Sequence, residues 1–177
     1  MFMKRFLFVT ILITHLQYVN SQENTYYIFD FLIGNWVGSG TGIGKSKSEI
    51  SASFSYTMGN TYIEVNHHTE FEPSDKRIKG EIHDDWGMIS YDKQREVYVY
   101  RQFNIEGFYN QFILIDSLTN ENIFVFETEQ TENVVAGSKT RFTVKKINNF
   151  EIETYYDLSL PDKEFANYSR NKLIKEE

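Results

Sequence analysis

Between Trp36 and Ile174 the chain alternates apolar and polar residues in short runs, and each run ends in turn-forming residues. Successive side chains of a strand point to opposite faces, so this period of two predicts strands with one face in a core. Ten runs can be marked: Trp36–Gly42, Ser48–Tyr56, Thr61–Phe71, Ile78–Tyr91, Glu96–Phe103, Phe108–Asp116, Ile123–Thr128, Thr140–Ile147, Phe150–Leu158 and Phe165–Ile174. Gly59-Asn60, Glu106-Gly107 and Asn148-Asn149 between them can supply the positive φ angles of tight hairpins. Pro73 and Pro161 fall in connections, where a missing N–H is harmless. No crossover helix intervenes, so the strands are antiparallel. An all-β, up-and-down barrel of about ten strands removes every sheet edge, and that is the expected fold. Glu23–Ile33, with Tyr27, Phe29, Phe31 and Leu32, reads as a short N-terminal helical plug closing one end.

Parity along the strands predicts an interior. Ile50, Ala52, Phe54 and Tyr56 share a face, with Ser51, Ser53 and Ser55 opposite. Across Gly59-Asn60 that face meets Ile63, Val65, His67, Thr69 and Phe71. A connection from Glu72 to Arg77 then pairs these with Ile78, Gly80, Ile82, Asp84, Trp86 and Met88. Val97, Val99, Arg101 and Phe103 follow across the next turn. A one-residue slip inverts a whole strand, so the assignment stands or falls strand by strand.

The first residues obey a different rule. Lys4 and Arg5 precede an apolar run, Phe6–Ile13, broken only by Thr10, and Val19-Asn20-Ser21 suits cleavage before Gln22. That order is a secretory signal peptide over residues 1–21, leaving 22–177 as one domain. The run is too short to span a bilayer, for which about 20 residues are needed, and no Cys follows it to carry a lipid. A secreted or periplasmic protein is expected, with no membrane insertion after cleavage. Lys and Arg total 18 against 25 Asp and Glu, for a net charge of −7. Such a chain is a poor partner for nucleic acid, whose affinity comes from neutralised phosphates. Cysteine is absent, so a hydrophobic core alone must hold the fold.

Few residues carry chemistry. Gly38, Gly40, Gly42 and Gly44 lie ahead of a strand rather than a helix, so they are glycines for a bending strand and not a phosphate loop. His67-His68 and His83-Asp84-Asp85 place neighbours on opposite faces, so no metal site is expected. The expected register instead places His67, Asp84 and Arg101 together on the inner face. A carboxylate there can orient the imidazole or pair with the guanidinium. Phe54, Tyr56, Trp86 and Phe103 line the same face, and Phe112, Phe124, Phe126 and Phe142 supply more core. There is no Cys nucleophile, no Ser in a nucleophile elbow and no close pair of interior carboxylates, so no catalytic residue is assigned. Asn167-Tyr168-Ser169 fits a glycosylation triplet that arises readily by chance.

Phe31-Leu32-Ile33-Gly34-Asn35-Trp36 resembles the opening of lipocalin-like (calycin) barrels, whose G-x-W signature is met by Gly34-Asn35-Trp36. The glycine spacing that follows, Gly87-Met88-Ile89-Ser90-Tyr91-Asp92, Gly107, and a last strand ending Tyr168-Ser169-Arg170-Asn171-Lys172 resemble the DUF1579 family of small bacterial barrels and its relatives, the nitrobindins. The resemblance runs from Asp30 to Lys172. It implies a ten-stranded barrel with Trp36 at its floor. Nitrobindins hold haem through a late His, whereas the last His here is His83, and the final strand offers Asn167 and Tyr168. Haem binding is therefore expected to be absent or weak.

Three readings follow. The first is a binding module for a small, largely apolar molecule, with His67, Asp84 and Arg101 as polar handles and Trp86, Phe54, Tyr56 and Phe103 as walls. The second is an isomerase or hydrolase using His67 as general base, to be recognised by turnover lost in His67→Ala. The third is a structural protein whose barrel is filled.

Overall fold

A computed structural model describes residues 25–42, 46–73 and 78–177. The expected signal segment and its cleavage point lie outside the described residues. Ten strands follow in chain order: β1 (Gly34–Thr41), β2 (Lys47–Thr57), β3 (Tyr62–Phe71), β4 (Glu81–Asp92), β5 (Val97–Asn104), β6 (Tyr109–Leu114), β7 (Ile123–Glu132), β8 (Lys139–Lys146), β9 (Glu151–Ser159) and β10 (Ala166–Lys175). Each pairs antiparallel with its neighbours, and β10 pairs with β1 to close the barrel. This is the expected all-β, up-and-down architecture.

The closing seam depends on glycine. At Gly38 a Cβ would sit 1.9 Å from the carbonyl oxygen of Lys172 on β10, so any side chain would push the two backbones apart. The β2–β3 hairpin turns through Met58, Gly59 and Asn60, all at positive φ, and Gly59 takes φ +67° without strain.

A 3-10 helix, Tyr27–Leu32, lies at the end of the barrel where β1 and β3 begin. Its Phe29 ring is 5.0 Å from Tyr98, 5.6 Å from Phe124 and 6.0 Å from Phe126. Trp36 is fully buried, and its Nε1–H donates to the carbonyl of Leu32 at 2.7 Å. An indole buried this way covers a large apolar area while keeping its one polar atom satisfied.

The expected face holds for β2 and β3: Ile50, Ala52, Phe54, Ile63, Val65 and Thr69 are buried. It fails for β4 and β5. Phe71 pairs with Glu81 and His67 with Asp85, so odd-numbered residues oppose odd-numbered ones. The inward residues of β4 are therefore His83, Asp85, Gly87 and Ile89, while Ile82, Asp84 and Trp86 are exposed. The β4–β5 turn keeps the expected parity, with Trp86 opposite Phe103 and Met88 opposite Arg101. One slip in the connection after β3 thus inverts both strands. Its reward is aromatic: Tyr98 and Tyr100 turn into the core, while Val97 and Val99 take the other parity, where Val99 is nevertheless fully buried. Tyr100 then stacks 5.6 Å from Phe112 and packs 5.7 Å from Phe142. Gly87 makes room for it, because a Cβ there would lie 2.8 Å from the Tyr100 ring.

Candidate functional site

The interior has two halves. Around the 3-10 helix it is solid with aromatic rings: Phe29 and Phe112 have no exposed surface and Phe126 has 1%. Toward the opposite end, where β4 and β6 begin and β3 and β5 finish, inward positions become polar. Gln102, Asn110, Thr140 and Thr154 are all buried there. An interior lined by groups that bind water or a ligand is not a conventional core, since burying a polar atom without a partner is costly.

At the centre of this half, His67 Nδ1 lies 3.9 Å from Asp85 Oδ2, with 21% and 18% of the side-chain surfaces still open. The same imidazole nitrogen is 3.3 Å from Thr69 Oγ1. Burial pushes the Asp85 carboxyl up to about 7; the Glu106 charge adds to this and His83 opposes it. Burial likewise holds the His67 imidazole down to about 4, helped by His68. Near neutral pH the imidazole is uncharged and the carboxyl keeps much of its proton. Tyr156, pushed up to about 12 by burial with Asp85 contributing, accepts a hydrogen bond from Asn110 Nδ2 at 3.2 Å. Asn110 Nδ2 also lies 3.5 Å from Gln102 Oε1. The site thus presents neutral donors and acceptors.

Two amide atoms of this lining stand out. Asn104 Nδ2, on the residue paired with Asp85, and Asn110 Oδ1 are buried with no hydrogen-bond partner among the described residues. Native interiors rarely leave such atoms unpaired, so each calls for a water or a ligand.

The residues expected from the sequence are divided between the two surfaces of the wall. Phe54 and Tyr56 face inward, but Phe54 is buried in the core and the Tyr56 hydroxyl donates to Asp30. His67 faces inward as expected. Asp84 does not: it is on the outer face, 2.5 Å from His68 Nδ1. Arg101 is also outside, its Nε 3.0 Å from Gln111 Oε1 and its Nη1 2.9 Å from Ser90 Oγ. Trp86 and Phe103 are outside and adjacent, their rings 5.8 Å apart. The expected trio is therefore taken apart by the inversion of β4 and β5. Asp85 takes the place of Asp84, and Gln102 and Asn104 take the places of Arg101 and Phe103. The legible signal for Asp85 was its adjacency to Asp84, since one of the two had to face inward.

A late His suited to haem is also missing from the structure: β10 has no His, and Tyr168 there is exposed, with its ring 6.1 Å from that of Tyr156. The aromatic half is packed with Phe29, Phe112 and Phe126. The residues present do not fit that group.

Fold and site together define a closed, antiparallel ten-stranded β-barrel with one packed and one polar half. No family model matches the sequence, and no curated protein does. Among solved structures, the crystal structure of Rv2717c from M. tuberculosis is similar, with a TM-score of 0.61 at 12% identity; the match covers 86% of this chain and 98% of that one. A de novo designed fluorescence-activating β-barrel matches with a TM-score of 0.44 at 10% identity, over 82% of this chain and 94% of that one. At these identities the likeness to Rv2717c speaks for the fold alone.

Proposed function

We propose that this protein is a binding module that holds a small molecule in the polar half of its barrel. His67, Asp85, Asn104, Asn110 and Tyr156 would be the groups that meet it. The observation that carries this reading is the pair of unpartnered buried amide atoms, Asn104 Nδ2 and Asn110 Oδ1, beside an open His67–Asp85 pair. A ligand with hydrogen-bonding groups satisfies them. The packed aromatic half argues for a more polar molecule than the largely apolar one expected from the sequence. A few precisely placed polar groups are what orient a small molecule in its site. Catalysis with His67 as general base is less well supported, because an imidazole held near 4 is a weak base at neutral pH. A filled structural barrel leaves the unpaired amides unexplained.

Residues 1–21 support export to a periplasmic or extracellular location, and the acidic balance argues against a nucleic-acid partner. Among the described residues no helix is long and apolar enough to cross a membrane. Membership of the DUF1579 and nitrobindin-like barrels is part of the same proposal, supported by Gly34-Asn35-Trp36 and the buried position of its indole.

Native mass spectrometry of protein purified from its own source tests the binding reading. A co-purified small molecule, lost in an Asn104→Leu/Asn110→Leu variant, is the expected result. A bare polypeptide mass in the wild type, under conditions that keep non-covalent complexes, would overturn it.

A further inference from the structure

The outer face of the wall carries a second candidate site. Asn35, Ser53, Asn66, Trp86, Phe103 and Tyr109 are paired in register, one from each of β1 to β6, and form a single row across the strands. All six have the outward parity. Half of the row is small and polar, and half is aromatic. Five of the six, all but Tyr109, line a surface groove of about 600 Å³, as do Ser51, His68, Asp84 and Ile105.

The aromatic half is a built platform. Phe103 lies 5.8 Å from Trp86, tilted 32°, and 5.0 Å from Tyr109, tilted 40°. Trp86 Nε1–H donates to Glu64 Oε1 at 2.7 Å, which ties down the indole edge and fixes the ring's orientation. Yet Trp86 and Phe103 remain 41% and 48% exposed. An aromatic ladder held rigid and left open is a surface prepared for a partner.

The groove's chemistry selects the partner. No Lys or Arg lines it, while Asp84 and Glu176 do, so an anion such as a phosphate or sulfate is excluded. Ser51, Ser53, Asn35 and Asn66 on the other half would be left unpaired by an acyl chain. A neutral saccharide satisfies both halves. The C–H groups on the face of a pyranose ring meet the negative face of the aromatic quadrupole, and its hydroxyls reach the serine and asparagine side chains. Rings stepped across neighbouring strands, which are about 4.8 Å apart, suit successive sugars of a chain. We infer that the groove across β1 to β5 is a glycan-binding site, in which Trp86 and Phe103 stack sugar rings and Ser53 and Asn66 bond their hydroxyls. His67, Asp85 and Asn104 also line this groove, so it shares part of the wall with the interior site, while Trp86, Phe103, Ser53 and Asn66 belong to the outer face.

The chain has two tryptophans, so a proton–nitrogen spectrum resolves one buried indole, Trp36, and one in the groove, Trp86. Titration of the full chain with cellohexaose, chitohexaose and maltohexaose should shift the Trp86 indole signal saturably with at least one of them and leave Trp36 in place. Phe103→Ala should weaken the apparent affinity by about tenfold or more. Asn66→Trp, which fills the groove from an exposed position and removes no core packing, should abolish the shift even if Phe103→Ala were to unfold. Absence of a Trp86 shift with all three hexamers overturns the inference, as does a shift that survives Asn66→Trp. A shift produced by hexalysine alone overturns it in favour of a basic peptide.

Discussion

Inside the barrel, His67 Nδ1 faces Asp85 Oδ2 at 3.9 Å, across the β3–β4 pairing that places the two residues directly opposite each other. Burial moves their titrations toward one another's usual ranges, the imidazole down to about 4 and the carboxyl up to about 7. Each shift is a stability statement, and the two have opposite signs.

Between about pH 4 and pH 7 the folded chain holds a proton on Asp85 that the unfolded chain has lost, so this group makes stability fall as pH rises. Between about pH 4 and pH 6.5 the unfolded chain holds a proton on His67 that the folded chain lacks, so this group makes stability rise with pH. Asp85→Asn leaves only the His67 slope, worth roughly 3 kcal/mol across its window. His67→Gln leaves only the Asp85 slope, falling by roughly 4 kcal/mol. Urea midpoints measured from pH 4 to pH 7 should therefore diverge between the two variants, with parallel profiles ruling out the pair.

The orientation of β4 is tested by charge. Ile82 is 52% exposed and Ile89 is 3% exposed, although both are apolar and lie on one strand. Ile82→Lys should change stability by less than about 0.5 kcal/mol, as surface substitutions do. Ile89→Lys buries an unpaired charge and should prevent folding or cost several kcal/mol. Circular dichroism melts of both variants decide the matter, and the reverse pattern would restore the face expected from the sequence.

Trp36 has no exposed surface and closes a hydrogen bond to Leu32. Trp36→Ala should destabilise by roughly 3–5 kcal/mol, read as a lowered denaturation midpoint. A loss below about 1 kcal/mol would mean that the floor of the barrel is not where this indole sits.

At the closing seam, Gly38→Ala places a Cβ 1.9 Å from a backbone oxygen of β10. Relief requires β1 and β10 to separate, so a loss of at least roughly 1–3 kcal/mol is expected. Amide exchange at Gly38 and Leu173, paired across the seam, should accelerate more than exchange in the β8–β9 ladder. Uniform exchange rates across both ladders would show that the seam does not depend on this glycine.

The proposed export predicts a mature chain beginning at Gln22. N-terminal sequencing of the protein recovered outside the cytoplasm reads this directly. A chain that still begins at Met1 would remove both the signal peptide and the location argued from it.

Much of the barrel could be read from residues alone, because a period of two is a local property of the backbone. Strand existence, the antiparallel order and the Gly59-Asn60 and Glu106-Gly107 turns needed no knowledge of what lies across the sheet. The inner faces of β2 and β3 were legible for the same reason, since a tight turn leaves little freedom in their relative register. His67 could be placed inside on that basis.

Tertiary structure decided the rest, and one connection shows why. Ile82, Trp86 and Met88 make a persuasive apolar face on β4, and Val97 and Val99 continue it on β5. The longer connection after Phe71 does not transmit parity, so β4 could pair with β3 in either phase. The phase that forms pairs His67 with Asp85 and stacks Tyr100 on Phe112, at the expense of leaving Trp86 and Phe103 in solvent. Which set of side chains fills the barrel better depends on rings contributed by β6, β7, β8 and the 3-10 helix, all remote in sequence. Alternation is local, and it sets the strands. Register across a long connection is settled by packing against the far wall, and here that packing decides both the interior pair and the outer groove.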